Sequence, residues 1–278
     1  TDYAAGVKGA QASRLARPLQ CMCAARSVCG ALATGRRVGQ HPRHSSECDT
    51  WRSASVFYST AKNDHGLPFN PFKSCVVPRP IGWISTVSHD GIVNLAPFSM
   101  FNQLGYDPPI VFFSGSNRPG TGTRKDSVIN AEETGEFVVN MATWELREQV
   151  AITSRFVEPN VDEFEVAGLN KLPSVMVRPP RVAESPVHLE CTYHSTLTIP
   201  ANQRHSVHHV VVGQVIGIHI RDDVLTPDGK LDVLKIRPLA RLGYTDYTSV
   251  TEMFTMAPQA TAAGQIGEAV ASRRKEPV

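Results

Sequence analysis

The sequence predicts a mainly β fold: an antiparallel barrel, closed or split, with a few peripheral helices. Three observations carry this. Short runs rich in β-branched residues recur through the body of the chain, the longest at residues 187–197 and 207–220. Turn signals punctuate it, at Ser88-His89-Asp90-Gly91, Asp107-Pro108-Pro109 and Thr226-Pro227-Asp228-Gly229. Helical patterns are few and do not alternate with the strands, which disfavours a doubly wound parallel sheet and suits a barrel.

The chain has 278 residues, 41% of them hydrophobic and 19% charged, enough to bury a core without disulfides or a metal. A net charge of +2 excludes a nucleic-acid binder driven by bulk charge. The charge is uneven. Residues 1–56 hold eight Lys/Arg against three acids, +5, which leaves −3 for the rest, and no acid occurs between Asp2 and Glu47. Rich in Ala, Arg, Ser and Gly and lacking a long apolar run, this segment fits a mitochondrial transit peptide or a disordered basic arm. Cys21, Cys23, Cys29 and Cys48 lie within it; Cys75 and Cys191 remain for the body, where they read as packing residues. This usage argues against a disulfide framework. The most apolar run, residues 210–220, is too short to span a bilayer.

The body is expected at residues 57–255, followed by a flexible tail at 256–278. Residues 57–78 are turn-rich, with Phe69 and Phe72 as expected anchors. Strands are predicted at 81–87, 92–95, 110–113, 136–141, 187–197, 207–220 and 231–234. Pro97 and Asn102 bracket a short helical or irregular segment. Helices are predicted from Thr123, the start of a T-x-x-D signal, through Glu133 with Gly135 as the stop, and over 144–154, where Trp144, Leu146, Val150 and Ala151 can share a face. Residues 160–169 are acidic, with Phe164 as an anchor and an end near Gly168.

Two stretches bear on function. In the first, residues 78–102, the polar Ser85, Thr86, Asn94, Ser99 and Asn102 lie close to Trp83, Phe98 and Phe101. A flat heteroaromatic ring needs such a mix of apolar faces and edge hydrogen-bonding groups; a hairpin with one buried face has the same pattern. In the second, Arg118, Arg124 and Lys125 sit beside Thr121, Thr123 and Ser127 at a helix start. Cationic side chains, free N–H groups and the helix dipole favour a phosphate there; a capped helix with a solvated basic turn fits equally. The GSNRPGTG loop at 115–122 is not a P-loop, because Thr121 and Gly122 stand where Lys and Ser/Thr are required. His188, Glu190, His205, His208 and His209 show no metal-ligand spacing, and Glu158, Asp162, Glu163 and Glu165 read as a solvated acidic loop.

Taken together the motifs resemble the flavin reductase-like, FMN-binding split-barrel flavoproteins. The matching text is PRPIGWIST from Pro78, NLAPFSMFN from Asn94, DPP at Asp107, RKDS from Arg124 and TGEFVVN from Thr134, then SPVHLEC from Ser185, VVVGQVIGIHI from Val210 and RPLARLGYTDY from Arg237. The resemblance implies a six-stranded antiparallel Greek-key split barrel and a homodimer with FMN near the interface. It implies an isoalloxazine ring against Trp83, Ser85, Thr86, Ala96, Pro97, Phe98 and Ser99. The phosphate would be held by Arg124, Lys125 and Ser127, with Asn102 and the loop at Ser114, and Asp126 as a cap. It further implies an oxidoreductase using NAD(P)H as electron donor, a flavin reductase or the reductase component of a partner monooxygenase. A non-catalytic FMN-binding or electron-carrier protein is the alternative. Flavin chemistry calls for no acid–base residue of the protein, and none is assigned.

Overall fold

A computed structural model describes residues 55–118, 120–202 and 206–256. The basic segment at 1–54, its four cysteines, His205 and the tail beyond Met256 lie outside the described residues. The chain divides into two compact units, residues 1–63 and 64–278. The described part of the first is a turn at 60–63, where the Lys62 and Asn63 amides both donate to the Ser59 carbonyl. The rest concerns the second unit.

Its elements run β1 (Arg79–Pro80), β2 (Gly82–Val87), β3 (Val93–Phe98), β4 (Met100–Tyr106), β5 (Pro109–Ser116), α1 (Asp126–Thr134), β6 (Glu136–Met141), α2 (Arg147–Ile152), α3 (Glu163–Ala167), β7 (Lys171–Leu172), β8 (Arg181–Val182), β9 (Val187–Pro200), β10 (Val207–Ile220), α4 (Val233–Ile236), β11 (Leu239–Gly243) and β12 (Asp246–Ser249). Seven strands form one antiparallel sheet in the order β3-β2-β6-β9-β10-β5-β4. Its two edge strands, β3 and β4, are consecutive in the chain with Ser99 alone between them. The sheet must therefore roll until its edges meet. Contact across the seam is tight: a Cβ on Gly82 of β2 would lie 2.6 Å from the Phe101 ring of β4. Only glycine lets the two strands approach so closely.

Both faces of the rolled sheet are covered. Inside, Ile84, Phe98, Val111, Phe113, Phe137, Val211 and Val215 pack with Val128 and Ala131 of α1. The Phe113 ring lies 4.8 Å from that of Phe98 and 5.4 Å from that of Phe137, tilted and edge-on as ring quadrupoles favour. Outside, Trp83, Leu95, Leu146, Val150, Phe164 and Val182 form a second cluster beneath α2 and α3. Strand β2 is thus buried on both faces along its length. Buried polar groups knit these layers together. Asn140 donates to the Trp83 carbonyl and to Ser85 Oγ, each at 3.1 Å, and accepts from the Val182 amide at 2.8 Å.

Several expectations are corrected. The sheet has seven strands, not six, because the segment 93–106 bends at Ser99 into two. Residues 97–102 belong to strands rather than a helical or irregular segment; Pro97 is tolerated because β3 is an edge strand with one unpaired side. Strand β5 is longer than 110–113 and takes in Gly115 and Ser116. Helix α1 starts at Asp126, not at Thr123, whose hydroxyl bonds Thr121 Oγ1 instead of capping. Gly135 does end it, in the left-handed conformation with φ 75°. Residues 231–234 do not form a strand: Asp232 accepts from the Lys235 amide and starts the single turn of α4. Trp144 does not share the buried face of α2 and lies between the Arg147 and Arg237 guanidinium groups, 4.5 and 5.0 Å from its ring. Phe69 and Phe72 are exposed, Phe69 contacting the Tyr244 ring. Cys75 is exposed, while Cys191 is buried in the barrel.

Gly213 of β10 faces the Phe137 ring, which a Cβ would approach to 2.3 Å, with the Thr192 carbonyl at 3.0 Å on the other side. Gly213→Ala is expected to cost about 1–3 kcal/mol by overpacking the barrel interior, read as a lower denaturant midpoint at unchanged slope.

Candidate cofactor cleft

At the edge of β3, an open cleft is lined by five segments of the chain. Strand β3 gives Asn94, Ala96 and Pro97. The loop after β5 gives Arg118. The start of α1 gives Lys125, Asp126 and Ser127. The segment after α2 gives Thr153 to Val157, and α3 gives Glu163. Hydrogen bonds fix these parts to one another. Asn94 Nδ2 donates to Ser127 Oγ at 2.8 Å and Asn130 Nδ2 to Thr86 Oγ1 at 3.1 Å, tying α1 to the β2–β3 hairpin. Arg118 pairs with Asp126 and donates to the Val157 carbonyl at 2.8 Å. Glu163 Oε2 accepts the Leu95 amide at 2.9 Å, satisfying an N–H that the edge strand would otherwise leave open.

The cleft is cationic at one end. Lys125 occupies the N-cap position of α1, which has no side-chain cap. Its ammonium lies 4.9 Å from the Phe98 ring centroid and 5.8 Å from that of Phe156, and among the described residues it has no ion-pair partner. Burial lowers the Lys125 pKa, and the neighbouring Arg118 lowers it further. Such a cation is stabilised by an incoming anion. Arg118 is half neutralised by Asp126, and Arg155 adds a third positive side chain. Ser127, Ser154 and Thr153 provide hydroxyls, while Ala96, Pro97, Phe156 and Val157 give apolar wall.

The acid in this cleft was not legible as such. Glu163 is not part of a solvated loop: it opens α3 and is 5% exposed. Burial raises its pKa to about 7, partly offset by the Leu95 hydrogen bond and reinforced by the charges of Asp126 and Asp162.

Of the residues singled out in the two functional stretches of the sequence, the structure gathers Asn94, Ala96, Pro97, Arg118, Lys125, Asp126 and Ser127 around this cleft. Trp83, Ser85 and Thr86 lie buried behind its wall. Trp83 Nε1 donates to Thr153 Oγ1 at 2.9 Å, and Ser85 Oγ donates to the Pro180 carbonyl at 2.6 Å. Phe98 is buried beneath Lys125. Ser99 forms the bend between β3 and β4. Asn102, exposed on β4, accepts the Gln103 amide at 2.8 Å, and Ser114 of β5 pairs with Met100 and Val210. Arg124 pairs with Glu132, and its buried Nε has no partner. The motifs did not point to Thr153–Val157 or Glu163; a T-S-R-F-V stretch and an acid in an acidic run carry no distinctive spacing.

A second polar cluster lies apart, where β9 meets β10. Glu190, fully buried, accepts the amides of Val175 at 2.8 Å and Met176 at 2.6 Å, and His219 Nε2 at 2.5 Å. Burial alone would raise this carboxyl; the three donors bring it below its ordinary value. His188 bonds the Val182 carbonyl, and burial pushes it down to about 4. Among the described residues no three His, Cys, Asp or Glu converge as a metal site requires, and no helix is long and apolar enough to cross a membrane.

The Glu163 shift has a sign that can be tested. Its folded pKa of about 7 lies above the ordinary 4.5, so the folded state holds the proton more tightly. That contribution is full below pH 4.5 and is lost as pH rises through 7, a change on the order of 3 kcal/mol. His188 acts in the opposite sense below pH 6.5, so the comparison must be with Glu163→Gln. The difference in unfolding free energy, wild type minus variant, is expected to fall between pH 4.5 and 7; a flat difference would contradict a buried, proton-holding Glu163.

The flavin reductase like domain matches residues 73–242. An uncharacterized protein of Aquifex aeolicus is 43% identical over 168 residues, 60% of this chain and 82% of that protein. YwrF of Bacillus subtilis, also uncharacterized, is 31% identical over 182 residues, 65% of this chain and 88% of that protein. Among solved structures, nitrilotriacetate monooxygenase component B from Bacillus cereus aligns with a TM-score of 0.62 at 23% identity, covering 80% of this chain and all of that one. The flavoredoxin of Desulfovibrio vulgaris aligns with a TM-score of 0.56 at 20% identity, covering 66% and 93%. These two share the fold. The seven-stranded rolled sheet and the extent of the sequence match agree: the chain belongs to the flavin reductase-like family.

Proposed function

We propose that this protein binds FMN in the β3–α1 cleft and is an oxidoreductase of the flavin reductase type, drawing electrons from NAD(P)H. The observation that carries the reading is Lys125: a half-buried ammonium without an anionic partner among the described residues, at a helix start with no side-chain cap, beside apolar wall. The donor set fits the cofactor. Lys125, Arg118 and Ser127 would hold the phosphate; Arg124 pairs with Glu132 and does not line the cleft. Ala96, Pro97 and Phe156 would flank the ring. Trp83, Ser85, Thr86 and Phe98 would act from behind, holding β2 and β3 in place. When bound, FMN supplies hydride acceptance and electron release. The chain's part is to seat the phosphate, keep the ring against β3 and hold a proton at Glu163. Delivery of reduced flavin to a partner monooxygenase belongs to the same reading, and the likeness to a monooxygenase component B supports it. An electron carrier is the second reading, supported by the likeness to a flavoredoxin.

Lys125→Ala is expected to weaken FMN at least tenfold and riboflavin little, since the phosphate distinguishes the two ligands. Equal losses would remove the phosphate role. Steady-state oxidation of NADH or NADPH with added FMN separates the two readings, and absence of turnover with either nicotinamide leaves the carrier. We propose further that the protein is a homodimer. Strand β4 exposes the side chains of Met100, Leu104 and Tyr106, an apolar surface that a second copy would cover. Light scattering at the mass of one chain would remove this proposal.

A further inference from the structure

We propose that Glu163 is the specificity-determining residue for ligand charge in the cleft: it takes up a proton when a phosphate-bearing flavin enters, and in its ionised form it discriminates against the phosphate. This rests on the cleft being the FMN site.

The inference starts from how the charges of the cleft are paired. Two carboxylates line it, Asp126 and Glu163. Asp126 is neutralised by Arg118. Glu163 has no cationic partner among the described residues; the polar contact it makes is with the Leu95 amide. It is also 5% exposed, so water screens it poorly. The groups around it are known from every side. On α3 and its cap lie Asp162, bonded to Lys171 of β7, and the exposed Glu165. From α1 come Asp126 and Lys125, from the loop after β5 Arg118, and from the segment after α2 Arg155. Strand β3 has no titratable side chain. Helix α2 carries Arg147 and Glu148, which contact one another.

In this setting an added phosphate meets Lys125, Arg118 and Arg155 as attraction and Glu163 as the one uncompensated negative charge. A buried like-charge pair cannot both stay ionised at neutral pH. Asp126 is already paired with Arg118, so the unpaired Glu163 is the carboxyl that takes the proton. Riboflavin brings the same ring without the charge and leaves Glu163 as it was. The cleft would thus select FMN over riboflavin most strongly where Glu163 is neutral, and the preference would decline as it ionises. Lys125 also favours the anion at lower pH, but it acts equally in a protein lacking the Glu163 carboxyl, so the two effects separate by substitution.

The test is calorimetric titration with FMN and with riboflavin at pH 6.0, 7.5 and 8.5, in buffers of different ionisation enthalpy, which counts protons. Glu163→Gln keeps an acceptor for the Leu95 amide, and the exposed Glu165→Gln serves as the control. Expected for wild type and the control is uptake of roughly half a proton to one proton per FMN at pH 7.5, and none with riboflavin. Glu163→Gln should lose that uptake and bind FMN about tenfold more tightly than wild type at pH 8.5, with near-equal affinity at pH 6.0. Binding of FMN without proton uptake in wild type, or full uptake retained in Glu163→Gln, would overturn the role of Glu163 and leave the FMN site standing. No binding of FMN at pH 6.0 would overturn the site itself and this inference with it.

Discussion

A single residue, Ser99, joins strands that end up on opposite edges of a seven-stranded sheet. Chain connectivity therefore forces the sheet to curl, and most of the architecture follows. Curling brings Gly82 against Phe101 and encloses the aromatic trio of Phe98, Phe113 and Phe137. It turns the outer face of β2 and β3 toward α2 and α3, which supply Leu146, Val150 and Phe164 to cover Trp83 and Leu95. The outer edge of β3 remains, and there α1, α3 and the segment after α2 converge without closing over it. The cleft is what the seam leaves open.

The walls of that cleft owe their stiffness to polar groups bonded to one another within and behind it. Asn94 with Ser127 and Thr86 with Asn130 clamp α1 onto the hairpin. Asn140 binds β2 to β8 through Ser85, the Trp83 carbonyl and the Val182 amide. Each bond is worth only about 1 kcal/mol net, but an unpaired partner left behind would cost more, so the pairs lock one geometry. Preorganisation of this kind is what a cofactor protein must contribute, since the reactive chemistry resides in the cofactor. Among the described residues Lys125 has no anionic partner and Glu163 no cationic one.

Much of this was readable from residues, and the reasons differ by element. Strand β6 and helix stop Gly135 were legible because β-branched alternation and a left-handed glycine are local signals. The gathering of Lys125 and Ser127 at the cleft was legible because helix start and charge coincide in sequence. The role of Trp83, Ser85 and Thr86 in the packing was not, since their partners Thr153, Pro180 and Asn130 are 44 to 95 residues away. Glu163 was hidden for a related reason. An acid among acids reads as solvated, and its burial depends on an edge strand 68 residues earlier needing an acceptor. Pro97 misled because it signals a break, whereas a one-sided strand accommodates it.

Trp83 has an optical consequence. Its indole is sealed from solvent and hydrogen-bonded to Thr153, a residue that also lines the cleft. Trp144, by contrast, sits half-exposed between two guanidinium groups. Of the two described tryptophans, Trp83 would emit from an apolar interior one hydrogen bond from a cleft-lining threonine, and Trp144 from the charged surface. A flavin filling the cleft would lie within energy-transfer range of the buried indole and quench the blue side of the emission. Trp83 emission would thus register a flavin entering the cleft, while Trp144 would serve as an internal reference at the surface.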